Sequence, residues 1–182
     1  MHGDPIVWWV SQFLKYMLRP QPHLKEMLDS TVTNFNFGHP IVGIHIRRTD
    51  KVGTEAAFHP VEEYMKYVEE WFRKEELLNP SVKRRVYVAS DDPKVLGECR
   101  KKYPEIEFLG DQNVAKSAAV SSRYSDSSLR GVIQDIHMLS VTDYLVCTFS
   151  SQVCRIAYEI MQQNHVDASN RYLARISIFS TD

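Results

Sequence analysis

The densest polar cluster in the sequence is His45-Ile46-Arg47-Arg48-Thr49-Asp50-Lys51, which begins inside an apolar stretch that reads as a buried strand and runs past its end. Open α/β sheets bind ligands at the carboxyl ends of their strands. Arg47, Arg48 and Lys51 set three cations within five residues against one carboxylate, Asp50. A surface pairing of Arg47 with Asp50 would explain a solvated strand end, but it leaves positive charge in excess. Guanidinium groups present planar, charge-assisted donors to phosphate oxygens, so a phosphate or diphosphate is the ligand expected there. A second anchor is Thr148-Phe149-Ser150-Ser151-Gln152, where a strand runs into a helix. Hydroxyls and N–H groups at a helix start suit an anion, although N-capping by Ser150 would account for the serine alone.

Three carboxylate positions could add acid–base or recognition chemistry. Glu55 lies in the small-residue stretch Val52-Gly53-Thr54-Glu55-Ala56-Ala57, where substrate can approach closely and a general base could be held; a solvated loop acid is the plainer alternative. Asp91 and Asp92 follow a strand, and Asp92 ahead of Pro93 also suits a helix cap. Asp135 sits in the helical run Val132-Ile133-Gln134-Asp135-Ile136-His137, where burying a carboxylate requires a partner. It could accept hydrogen bonds from a base or a sugar.

Other chemistries lack their motifs. No GxGxxG or GxxxxGK[ST] glycine pattern appears, which disfavours dinucleotide enzymes and P-loop NTPases, and there is no GxSxG nucleophile elbow. Without an Asp-x-Asp motif, a departing diphosphate would be stabilised by Arg, Lys and helix N–H groups, and no metal is expected. The three cysteines show no zinc spacing; Cys147 and Cys154 could pair across a strand-to-helix turn, while Cys99 would remain free.

The elements that must position these residues follow from pattern. Ile6, Trp9, Val10, Phe13, Leu14, Met17 and Leu18 recur at helical spacing after Asp4-Pro5, a second helix runs from His23 to about Val32, and Gly38-His39-Pro40 marks a boundary. Strands are expected at Ile41–Ile46, Arg85–Ala89, Ile106–Leu109 and Tyr144–Phe149. Helices are expected from Pro60 to about Leu78, after Asp92-Pro93, from Ser127 to about Ser140, and from Ser150 to near Gln163. The stretch from Gly110 to Asp126 reads as a loop. Alternating strands and helices imply α/β architecture with a parallel sheet covered on both faces.

Composition agrees with a folded chain of about one domain: 182 residues, 43% hydrophobic and 25% charged. A formal net charge of -1 removes the basic field of a general nucleic-acid binder, so no nucleic-acid partner is expected. The first residues have neither the charge pattern of a signal peptide nor the apolar length of a membrane span.

The sixteen residues from His45 to Pro60 resemble the donor-binding motif of the eukaryotic α1,6-fucosyltransferases of glycosyltransferase family 23. So do Ser90–Pro93, Ser128–His137 and Leu145–Arg155, and His2–Phe13 resembles the helix preceding this domain. The likeness extends to about Ser169. It implies the Rossmann-like, nucleotide-binding half of a GT-B fold at residues 37–169, a helical segment of the acceptor-side half at 1–36, and a divergent tail at 170–182. It further implies inverting, metal-independent transfer of L-fucose from GDP-fucose to the 6-hydroxyl of the innermost GlcNAc of N-glycans. Arg47 and Arg48 would then contact the diphosphate, Ser151 the β-phosphate, and His45 and Asp135 the guanine. Glu55 would be the general base, with Lys51 and Asp50 arranging acceptor and charge. Tyr64, Asp91 and Asp92 match further donor-site positions, and Cys147 and Cys154 match a family disulfide, consistent with the Golgi lumen. Full-length family members carry a membrane anchor, a coiled coil that can support dimerisation, an acceptor-side half and an SH3-like domain. The chain is therefore expected to be a donor-binding fragment, with nucleotide-sugar binding without turnover as the alternative to transfer.

Overall fold

The computed structural model describes residues 5–48, 59–117, 125–148, 150–164 and 172–173. Its centre is strand β1 (Val42–Ile46), buried along its whole length. On one side lie β2 (Arg85–Ser90) and β3 (Glu107–Leu109), on the other β4 (Tyr144–Cys147) and β5 (Tyr172–Leu173), giving the order β3-β2-β1-β4-β5. Every pairing is parallel, with Ile44 opposite Val88 on one side and Val146 on the other. Parallel neighbours require crossovers, and the helices supply them.

Side-chain alternation along the strands divides the core into two layers. Val42, Ile44, Ile46, Val86, Val88 and Val146 face helices α3 (Val61–Leu78) and α4 (Val95–Lys102), which contribute Met65, Val68, Phe72, Val95 and Leu96. Tyr87, Ala89, Leu145 and Cys147 point the other way, towards α6 (Asp126–Ser140) and α7 (Gln152–Asn164). Helices thus cover both faces, as the pattern predicts. Among the described residues, no helix is long and apolar enough to cross a membrane.

Gly43 is where α6 comes down onto the central strand. A Cβ there would lie 2.9 Å from Thr142 Oγ1 and 3.0 Å from Leu139 Cδ2. The Thr142 hydroxyl is itself fixed by donating to Leu139 O at 2.8 Å, so it cannot simply swing away. Gly43→Ala is therefore expected to destabilise the fold by about 1–3 kcal/mol through overpacking, read as a lower midpoint in thermal unfolding; an unchanged midpoint would contradict this packing.

Helix α1 (Pro5–Met17) turns a different face inward from the one its largest apolar residues define. Ser11 is buried and Val7 packs on the core, while Ile6, Trp9, Phe13, Met17 and Leu18 are exposed. The contact with α7 decides the orientation: Gln163 Nε2 donates to Ser11 O at 2.6 Å. Helix α2 (Pro22–Asn34) ends with Asn36 at φ 47, where Phe37 N donates to Val32 O and Asn36 N to Thr33 O. This Schellman closure brings Val32 and Phe37 together onto the core.

Three local expectations change. A short helix, α5 (Gln112–Ser117), occupies part of the expected Gly110–Asp126 loop, started by Asp111 Oδ1 accepting from Asn113 N. Helix α7 begins after Ser151 rather than at Ser150: Ser151 O accepts from Arg155 N. Beyond residue 170, Tyr172–Leu173 adds an edge strand to β4, so part of the expected tail belongs to the sheet.

Candidate functional site

Because β2 and β3 extend from one side of β1 and β4 and β5 from the other, the chain reverses direction across the sheet between β1 and β4. A crevice opens at the carboxyl ends of strands where such a reversal occurs. A cleft of about 280 Å³ lies there. His45 and Arg47 enter it from β1, Ser90 and Asp91 from the end of β2, and Val153 from the first turn of α7. Ser128, Leu129, Val132 and Asp135 of α6 and Val114 of α5 form the opposing wall. The arrangement is amphipathic, with aliphatic side chains to hold a flat apolar ring and a few polar groups to orient it.

His45 is 6% exposed, and its Nδ1 has no hydrogen-bond partner among the described residues. Burial lowers its pKa to about 4, against the opposing pull of Asp91, so the ring is neutral at physiological pH and can accept or donate. Asp135 lies across the cleft with Oδ1 accepting from Tyr87 OH at 2.8 Å. Burial, which outweighs the Tyr87 hydrogen bond and is aided by the charge of Asp111, pushes its carboxyl up to about 7. Such a carboxyl is poised to accept from N–H donors of an incoming ring.

The cations are less free than their spacing implies. Arg47 Nε lies 4.0 Å from Asp91 Oδ2. Arg48 is 10% exposed: its backbone N–H donates to Asp91 Oδ1 at 2.7 Å, and its Nη1 reaches Glu98 Oε2 at 2.6 Å and Asp92 Oδ2 at 3.9 Å. The charges of Arg47 and Arg48 are therefore offset by carboxylates from the neighbouring strand and helix. Among the described residues, Arg47 is the cation that lines the cleft.

Ser151 is 3% exposed at the start of α7, and its Oγ makes no hydrogen bond among the described residues. A capping hydroxyl would have spent itself on its own helix. The Cys147–Cys154 disulfide clips the end of β4 to α7 across this turn, and Cys99 is a free, buried thiol. Asp92 Oδ1 accepts from Lys94 N just ahead of α4, so it closes that turn as well as pairing with Arg48. Tyr64 is different: it is 1% exposed within the α3 core layer and does not line the cleft. Asp50, Lys51 and Glu55 lie outside the described residues.

Several groups emerge only in three dimensions. Tyr87 reads as a plain strand residue until its hydroxyl meets Asp135, and Glu98 reads as a surface acid until Arg48 reaches it. Val114, Ser128, Leu129 and Val132 carry no chemical signature of their own. Gly131 is the one sequence signal of the wall they form: a Cβ there would lie 2.9 Å from Val114 Cγ1, which is how closely α5 and α6 approach.

A family profile described as alpha-(1,6)-fucosyltransferase N- and catalytic domains matches residues 1–178. The chain belongs to this alpha-(1,6)-fucosyltransferase family. The match continues past Asn170, whereas the motifs by themselves end near Ser169. An alpha-(1,6)-fucosyltransferase of Drosophila melanogaster is 57% identical over 179 residues, covering 98% of this chain and 29% of that protein. One of Caenorhabditis elegans is 45% identical over 174 residues, covering 94% of this chain and 31% of that protein. The chain thus spans less than a third of the length of these alpha-(1,6)-fucosyltransferases. The crystal structure of POFUT1 in complex with GDP shares the fold at a TM-score of 0.55 and 15% identity, over 94% of this chain and 51% of that one. The chain has the α/β architecture of one half of a GT-B fold.

Proposed function

We propose that this chain is the donor-binding part of a fucosyltransferase that moves L-fucose from GDP-fucose to the 6-hydroxyl of the innermost GlcNAc of N-glycans, with inversion and without a metal. The observation that carries this reading is the cleft at the β1–β4 reversal, whose lining brings together neutral His45, partly buried Asp135 and Arg47. In this reading His45 and Asp135 hold the guanine between aliphatic walls. Arg47, with Arg48 and Ser151, holds the diphosphate.

Cleavage of the donor develops negative charge on GDP and positive charge on the sugar. Arginines that tighten on the departing diphosphate therefore lower the barrier selectively. Glu55 is assigned from the sequence motif as the base that removes the acceptor proton, with Lys51 and Asp50 beside it; such bases contribute on the order of a hundred- to ten-thousand-fold. The Cys147–Cys154 disulfide suits an oxidising compartment, in keeping with a Golgi location. Membrane anchorage and dimerisation belong, in this reading, to the rest of the full-length protein.

A second reading has its own support: the relatives are more than three times longer, and this reading assigns the acceptor-side half to their unaligned part. The chain would then bind GDP-fucose without turnover. Incubation with GDP-fucose and a biantennary N-glycan that exposes GlcNAc separates the two. Fucose appearing on the core GlcNAc supports transfer, GDP-fucose binding without product supports the second reading, and absence of binding sinks both.

A further inference from the structure

Arg48 is the first member of a line of alternating charges that crosses three elements. Its Nη1 donates to Glu98 Oε2 at 2.6 Å, and the other oxygen of Glu98 accepts from Lys102 Nζ at 2.9 Å. Lys102 Nζ in turn donates to Glu62 Oε1 at 2.5 Å. Glu98 and Lys102 sit one turn apart on α4, and Glu62 lies in the first turn of α3. Arg48 precedes residues 49–58 in sequence and Glu62 follows them, so the line ties both described flanks of that segment to one helix.

We propose that Glu98 and Lys102 are positioning residues for Arg48, holding its guanidinium in the orientation that meets a nucleoside diphosphate. The proposal rests on the reading of Arg48 as a diphosphate contact. A guanidinium is a planar fork whose donors work only at a set angle, so the group that grips one edge decides where the others point. Arg48 is 10% exposed and Glu98 27%, which keeps water from competing for that grip. Both oxygens of Glu98 are engaged, one by Arg48 and one by Lys102, so the carboxylate cannot turn without losing a partner. The Arg48 guanidinium holds the Glu98 carboxyl below the usual carboxylate range, so it stays ionised. The outer Lys102–Glu62 pair is half exposed, and such pairs contribute little to stability. Its consequence is geometric.

Removing the charge of Glu98 would confuse two effects, because losing an anion strengthens phosphate attraction even as Arg48 loses its support. Glu98→Asp keeps the charge and shortens the reach by one methylene. Calorimetry with GDP on the full chain is expected to give about tenfold weaker binding for Glu98→Asp, the scale of one charge-assisted hydrogen bond. Lys102→Met, at a solvent-accessible amine that folding tolerates, is expected to weaken GDP by about two- to threefold. Neither change should weaken GDP further in an Arg48→Ala background, whereas a general loss of structure would weaken it in both. Wild-type affinity in Glu98→Asp, or an equal loss with and without Arg48, overturns the positioning role. Unchanged GDP affinity in Arg48→Ala alone instead overturns the underlying reading of Arg48 as a diphosphate contact.

Discussion

Arg47→Ala is expected to lower GDP affinity by a hundredfold or more, enough to take binding out of the range of ordinary calorimetry. Two effects add. The variant loses charge-assisted hydrogen bonds to phosphate oxygens, each worth about 1.5–3 kcal/mol. It also leaves Asp91, now 4.0 Å from Arg47 Nε, without that cation and facing an incoming anion. At 4.0 Å and with Arg47 29% exposed, this second effect is the smaller of the two. Arg47→Lys keeps the charge but not the planar fork and should fall between. Arg48→Ala should cost less than Arg47→Ala, because Asp92 and Glu98 already offset the charge of Arg48. Calorimetric titration of the three variants checks the order; GDP affinity unchanged in Arg47→Ala would remove the diphosphate from this strand end.

The second large effect concerns Asp135 and has a pH signature. Guanine presents adjacent N–H donors, which need the ionised carboxylate as acceptor. Burial pushes the Asp135 carboxyl up to about 7, while Tyr87 donates to it and the charge of Asp111 opposes ionisation. His45, lowered to about 4 by burial, stays neutral across the same window and does not contribute. Ligand N–H donors stabilise the carboxylate and draw its pKa down. The sign follows: below pH 7 binding must expel a proton, so affinity rises by up to about tenfold per pH unit towards 7 and levels off above it. GDP-fucose is the ligand to use, since neither of its phosphates carries a proton that titrates near neutrality. Asp135→Asn turns an acceptor oxygen into a donor amide facing other donors, and an unpaired buried polar group costs about 1–3 kcal/mol. The variant should bind GDP-fucose ten- to a hundredfold more weakly, with no rise between pH 6 and 8. A variant that keeps the wild-type pH slope would exclude Asp135 as its source.

Much of the cleft is legible in the chain because its key groups break local rules. His45 interrupts a run of β-branched residues, and Asp135 interrupts an apolar helix. A polar group in an otherwise buried pattern signals either a partner or a ligand. The strand ends at Arg47 and Asp91 are visible for the same reason: periodicity stops where charge begins. Tyr64 is packed into the α3 layer, close enough to Arg48 and Asp91 to feel their charges, a proximity that periodicity does not reveal. Helix α5 is hidden because Gln112–Ser117 is short and polar, and its support comes from Asp111 and from the close approach of Val114 to Gly131. Strand β5 is two residues long and exists by virtue of its pairing with β4.

What the sequence by itself determined is the succession of buried strands and amphipathic helices, and hence a parallel α/β sheet, because periods of two and 3.6 residues are local properties of a chain. It also determined which residues end the strands. Tertiary structure decided the strand order that puts β1 beside β4 and so creates the crevice. It also decided which charges meet. Arg48 and Glu98 are 50 residues apart, and Tyr87 and Asp135 are 48 apart. Arg47 and Arg48 look unopposed in one dimension because their counter-charges arrive from the end of β2 and from α4: the register of parallel strands brings Asp91 to them, and the packing of α4 brings Glu98.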